Sequence, residues 1–217
     1  MSILEVKNSE ITSFFTSFED QIQITRLPNK AVIFSRSSSD KSLYYIAEGI
    51  VKYLNGSGKI EQYFVSNDIF GDENVLNFKN NNFTAIAQQP CTLFKFHNVD
   101  FTAYTLHQNG LYNHLMKALN NRKSQREQFL ETLVFEPVKL RIARILNHIA
   151  THSGKSNIHD QILICNIFTQ GEIADIAFTT RQTVAHIFKE FYDQEYCSKL
   201  KNHSLLIHKK FFDEFKF

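Results

Sequence analysis

A chain of 217 residues, 43% of them hydrophobic and with a net charge of +2, is long enough for one large domain or two smaller ones with proper cores. No apolar run approaches the ~20 residues of a membrane-spanning helix, and the start lacks the basic, apolar, small-residue order of a secretory signal, so a cytoplasmic location is expected. Cys91, Cys165 and Cys197 lie far apart with no ligand spacing, which excludes an iron–sulfur cluster with its roughly four thiolates and leaves them as buried small apolar side chains.

The charge is unevenly spread. Residues 1–108 carry nine Lys and Arg against eleven Asp and Glu, whereas residues 137–217 carry eleven against eight, so the C-terminal part is the better surface for a polyanion. The apolar volume is aromatic, with 21 Phe, 8 Tyr and no Trp.

Residues 9–21 have the spacing of a short amphipathic helix, with Ile11, Phe14, Phe15, Phe18 and Ile22 on one side. The period then changes. Residues 31–34, 42–47, 50–54, 60–65, 83–87 and 91–96 are short β-branched and aromatic runs, separated by turn signals such as Leu27-Pro-Asn-Lys, Asn55-Gly-Ser-Gly and Gln89-Pro. Strands at such regular intervals predict a sandwich or barrel.

Residues 110–132 contain no Pro and place Leu111, Leu115, Ala118, Arg122, Gln125 and Phe129 at a 4-3-4-3-4 spacing, the seam of a two-stranded coiled coil. Arg122 and Gln125 are polar seam positions that fix register in a dimer or face a ligand in the neighbouring β-domain; the alternative is an ordinary amphipathic helix packed on its own domain. Pro137 cannot continue that helix and marks a hinge. Residues 138–151 predict an amphipathic helix, 161–167 a strand, and 198–210 a β-hairpin.

Between the last two lies the most informative stretch, residues 168–191. Ile173, Ala174 and Ile176 form one apolar stripe; Val184, Ile187, Phe188 and Phe191 form a second. Thr180 fits an N-cap between them. Two short helices across so tight a turn predict a helix-turn-helix, whose second helix exposes Arg181, Gln182, Ala185, His186 and Lys189 to base edges and phosphates. Thr169, Gln170, Thr180 and Thr183 at the helix starts and Lys201 in the hairpin complete the candidate DNA-binding set. The alternative is a helical hairpin with a solvated polar face.

The pieces Gln170-Gly-Glu-Ile-Ala and Thr180-Arg-Gln-Thr-Val-Ala-His-Ile-Phe-Lys resemble the Crp/Fnr family of bacterial transcription regulators, and so do Leu27-Pro-Asn-Lys, the stretch of residues 43–53 and Asp68-Ile-Phe-Gly-Asp. By that resemblance the first half is a cyclic-nucleotide-binding-like β-roll and the second a winged helix-turn-helix. The family's base-reading Glu falls on Gln182, its Ser or Gly on Ala185, its Arg on His186 and its turn Gly on Phe178. Its phosphate-binding Arg falls near Asn81 and Asn82, and no Arg occurs between Arg36 and Arg122. A buried phosphate without that fork lacks charge-assisted bonds worth roughly 1.5–3 kcal/mol each, so a cyclic nucleotide is not expected to be the ligand. The candidate effector pocket is then Phe70, Gly71, Asp72, Glu73, Asn81, Asn82 and Phe83, with Arg122, Gln125 and Arg126 from the long helix.

The nine histidines are read as scattered singles without metal-ligand spacing, which leaves a metal-dependent cupin poorly supported; His97 and His114 are the two to inspect. Nucleophile-elbow, P-loop and dinucleotide motifs are missing, so no enzymatic activity and no cofactor is expected. The expected fold is α+β: an antiparallel β-roll over residues 1–108, a long dimerisation helix and hinge over 109–136, and a winged helix-turn-helix over 137–217. The expected function is that of a dimeric transcription regulator whose small-molecule effector is unknown or lacking. Its partners are double-stranded DNA, a second copy of itself and, if it activates, RNA polymerase; no membrane partner is expected. The alternative is a ligand-binding or protein-interaction module that has lost DNA binding.

Overall fold

A computed structural model describes residues 23–36, 38–72, 82–97, 120, 123, 124, 127, 128, 130–133, 135–156, 161–201 and 203–217. The expected N-terminal helix and the seam positions Leu111, Leu115, Ala118, Arg122, Gln125 and Phe129 lie outside the described residues, as does His114.

Among the described residues the first half contains eight strands: β1 (Gln23–Leu27), β2 (Val32–Phe34), β3 (Ser42–Glu48), β4 (Val51–Leu54), β5 (Ile60–Phe64), β6 (Ile69–Phe70), β7 (Thr84–Ala87) and β8 (Cys91–His97). They form two four-stranded antiparallel sheets, ordered β1-β8-β3-β6 and β2-β7-β4-β5. Two of these strands were not expected. In β1 a mostly exposed Gln-Ile-Thr-Arg-Leu shows no apolar alternation, and β6 has only two residues.

The space between the sheets is filled by aromatic rings. Phe70 stacks on Tyr44 at 4.9 Å, Phe64 meets Tyr53 edge-on at 4.7 Å, and Phe83 stacks on Tyr53 at 5.3 Å. Such pairs add about 0.5–1.5 kcal/mol each beyond the area they bury. The β3–β4 turn needs Gly49, whose φ is +117° and where a Cβ would lie 2.5 Å from Cys91 Sγ.

The second half begins where residues 130–133 and 135, which are helical, give way at Pro137 to α1 (Val138–Ser153). The break is braced: Arg144 pairs with Glu136, and the buried Arg141 donates to the Leu133 carbonyl at 3.3 Å. The third sheet, β11-β12-β10-β9, is built from β9 (Lys155–Ser156), β10 (Ile162–Ile164), β11 (Cys197–Lys199) and β12 (Leu205–Ile207). Between β10 and β11 come α2 (Gln170–Ile176) and α3 (Arg181–Asp193), and α4 (Lys209–Glu214) follows β12. Lys209 and Lys210 therefore open a helix and do not extend the hairpin. The reason is Phe211, which is fully buried and draws that turn onto the core at 6.1 Å from Phe191.

The core of this half does not stop at its own elements. Ile50, Ile60 and Val65, on the outer side of the β-roll, pack into the same apolar cluster as α1, α2 and α3. Burial also accounts for two cysteines: it pushes the Cys91 thiol up to about 11 and the Cys197 thiol up to about 12, so both are neutral, inert thiols at neutral pH.

Candidate nucleic-acid interface

The two helices of residues 170–193 are specified at both ends. Thr169 caps α2 with a capping box, its hydroxyl accepting from the Glu172 N–H while the Glu172 carboxylate accepts from the Thr169 N–H at 2.8 Å. Thr180 caps α3, accepting from the Thr183 N–H at 3.1 Å. These threonines thus have structural partners of their own at the helix starts.

Between the helices the chain closes a Schellman turn. Thr179 N–H donates to the Ala174 carbonyl at 2.9 Å and Phe178 N–H to the Asp175 carbonyl at 3.3 Å. The turn puts Phe178 at φ +50°, a left-handed position that costs an L-residue about 1–2 kcal/mol and is usually given to glycine. Its ring is 61% exposed and returns little in burial. Phe178→Gly should therefore raise stability by about 0.5–1 kcal/mol after the extra chain entropy of glycine is counted. An upward shift of the urea midpoint with unchanged slope would show it, and a downward shift would mean that the ring holds the turn through contacts of its own.

Helix α3 buries Val184, Ile187, Phe188 and Phe191 and turns the opposite face outward. Arg181, Gln182, His186 and Lys189 are exposed there, with Thr183 and Ala185 at the margin and Gln170 half-buried on α2. Arg181, Gln182 and Lys189 make no ion pair among the described residues, whereas His186 Nε2 lies 3.2 Å from Glu190, which also pairs with Lys139 at 2.9 Å. Lys201 is exposed in the β11–β12 turn, beside Lys199 and His203. An exposed, cationic helix face flanked by a basic hairpin tip makes this the candidate surface for a nucleic acid.

Helix α2 is fixed on its other side to the β-roll. Lys52 of β4 pairs with Glu172, and the Ile60 N–H of β5 donates to Asp175 Oδ2 at 3.4 Å. Desolvation alone would raise the Glu172 carboxyl, but hydrogen bonds from Lys52 and Thr169 and the Lys52 charge outweigh it and hold the group below its ordinary 4.5. The stabilisation from Glu172 is thus complete above about pH 4.5 and is lost as pH falls through the lower folded value. Glu172→Gln keeps a capping acceptor and deletes the charge. It should lower the urea midpoint by the equivalent of about 0.2–1 kcal/mol at neutral pH, a gap that closes in acid. A gap that persists in acid would assign the effect to the cap alone.

Of the effector-pocket residues, Phe70 is fully buried in the aromatic core, Gly71 N–H donates to the Tyr53 hydroxyl at 2.9 Å, Asp72 is half-buried, Asn82 is exposed and Phe83 stacks on Tyr53. Glu73, Asn81, Arg122, Gln125 and Arg126 lie outside the described residues.

A cleft of about 880 Å³ opens between β5, α1 and the α2–α3 turn, with Phe178 on its wall. Into it face His148 and His152, whose ring centres are 4.8 Å apart. They are His-x₃-His, one turn apart on α1, and so not the scattered singles without ligand spacing expected from the sequence. His148 is half-buried beside the apolar stripe of α1, and the four-residue step to His152 is the sequence signal that marks the pair. Its Nδ1 lies 3.1 Å from the Tyr63 hydroxyl of β5. Burial, then the nearby His152, pushes His148 down to about 4, so it is neutral at physiological pH.

The two facing sheets, the helix break at Pro137 and the capped α2–α3 pair with its hairpin together make the architecture of the Crp/Fnr transcription regulators. Residues 24–107 match the family model of the cyclic nucleotide-binding domain. Among solved structures, the chain is similar to a CRP-family transcriptional regulator from Thermus thermophilus, with a TM-score of 0.71 at 18% identity over 88% of this chain and 95% of that one. It is similar also to FixK2 of Bradyrhizobium japonicum, with a TM-score of 0.71 at 12% identity over 90% and 98%. A third is the c-di-GMP-responsive global regulator CLP of Xanthomonas campestris, with a TM-score of 0.66 at 15% identity over 90% and 98%. At such identities these are likenesses of fold. No curated protein matches the chain in sequence.

Proposed function

We propose that this chain is a DNA-binding transcription regulator of Crp/Fnr type and not an enzyme. The proposed units are a sensor β-roll (residues 1–108), a dimerisation helix and hinge (109–136) and a DNA-reading domain (137–217). The observation that carries this reading is the face of α3, where Arg181, Gln182 and Lys189 are exposed on a helix locked at both ends. Two copies related by a twofold axis read an inverted repeat with half-sites one helical turn apart, about 34–36 Å. Its proposed partners are double-stranded DNA, a second copy of the chain and, if it activates, RNA polymerase; no helix among the described residues is long and apolar enough to cross a membrane.

The test is selection of the full-length protein on random double-stranded DNA together with its mass by light scattering. An enriched inverted repeat and a mass of two chains support the reading; a single-chain mass with no enrichment identifies a module that has lost DNA. In this reading the regulator has a small-molecule effector other than cyclic AMP or cyclic GMP, or none. With no Arg in residues 37–121 and the β-roll interior filled by Phe70, Tyr44 and Tyr53, cyclic AMP and cyclic GMP should give no heat in calorimetric titration. Micromolar binding of either would overturn this and point to Lys79, the cation nearest in sequence to Asn81 and Asn82, as the substitute for the missing Arg.

A further inference from the structure

We infer that His148 and His152 form a binding site for a transition-metal dication of the zinc, nickel and copper class, opening into the cleft between the β-roll and the DNA-reading domain. Histidines four residues apart on a helix share one face and stand one turn apart, the spacing by which helical metal sites present two imidazoles to one ion. The ring separation fits. With metal–nitrogen distances of about 2.0–2.1 Å an ion lies about 3.2 Å from each ring centre, and two such rings at a right to tetrahedral angle stand about 4.5–5.2 Å apart. The observed separation is 4.8 Å, with the ring planes inclined at 52°.

The surroundings are those of a ligand. If His148 Nδ1–H donates to the Tyr63 oxygen across 3.1 Å, the tautomer is set and the Nε2 lone pair is left for a metal, the part an outer hydrogen bond plays in metal sites. Neither Nε2 has a hydrogen-bond partner among the described residues. No third His, Cys, Asp or Glu joins the pair among the described residues. The remaining coordination positions therefore face the cleft and belong to water or to an oxygen-donor molecule held there. Imidazole donors select this class over magnesium and calcium, which prefer oxygen. Since Tyr63 belongs to β5 and the histidines to α1, metal affinity and docking of the two halves are linked.

The test uses the chelator-treated full-length protein, titrated with Zn²⁺ and Ni²⁺ against a chromophoric chelator, and with Co²⁺ for its visible absorption. It does not involve DNA, so its failure is separate from failure of the regulator reading. One ion per chain is expected, with affinity lowered more than about tenfold by H152Q or H148Q and about 10–100-fold by Y63F, and unchanged by H97Q. His152 is exposed, so H152Q keeps the test decisive if H148Q, at a half-buried position, misfolds. Absence of saturable binding, or binding that H152Q leaves intact, overturns the proposal and makes the pair a packing contact between the two halves.

Discussion

Replacing Phe191 by Ala should lower the stability of the protein by about 3–5 kcal/mol, the range for removing a fully buried aromatic ring from a close-packed site. Phe191 has no exposed surface and is the point where three elements meet. Its ring lies 6.1 Å from Phe188 on its own helix, 6.0 Å from Tyr196 after it, and 5.6 Å from Phe215 beyond α4. These rings cannot all move into the space without leaving their own partners, so the cavity stays open. The effect should appear as a large fall in urea midpoint. DNA affinity measured well below that midpoint should fall less, because the outward face of α3 is untouched. A loss under about 1 kcal/mol would mean that the site collapses and that the C-terminal residues are not held by this ring.

The residues that made the fold legible are those whose neighbours in sequence are also their neighbours in space. The strands β3, β4, β5, β7 and β8 announce themselves because β-branched and aromatic residues alternate or run together between clear turn signals. The two caps and the apolar stripes of α2 and α3 are equally local, which is why Thr180 was readable as an N-cap. What sequence could not show depends on distant pairs. Lys52 and Glu172 are 120 positions apart, and no periodicity links them. Strand β1 is a strand because β8 pairs with it from Gln23↔Lys95 to Leu27↔Cys91, and its own composition is indifferent. Phe178 was legible as a misfit in a glycine position, and its φ of +50° gives the physical content of that misfit. The His148–His152 pair was present in the sequence, hidden by the apolar residues around it.

On the proposed DNA-reading face of α3, some residues are expected to specify sequence and others to hold the backbone, and two substitutions should separate them. Arg181 occupies the first position of α3, is exposed, and has no carboxylate partner among the described residues, so its guanidinium is available as a fork. A fork pairs with guanine O6 and N7, and each such pair discriminates by roughly 1–3 kcal/mol against the wrong base. Gln182 beside it favours adenine, where a Glu would favour cytosine. His186 is a weaker contender than its place on the helix suggests, since Glu190 already engages its Nε2 at 3.2 Å. Lys189, two turns further on, is placed for a phosphate. Arg181→Ala should therefore lose the guanine preference at one position of each half-site while retaining non-specific affinity. Lys189→Ala should weaken binding on every sequence alike and reduce the slope of log affinity against log salt by about one. Selections on random DNA with both variants, at two salt concentrations, measure the two effects independently. If the motif selected by Arg181→Ala is the same as that of the unmodified protein, α3 does not read this base and the assignment of the reading helix falls with it.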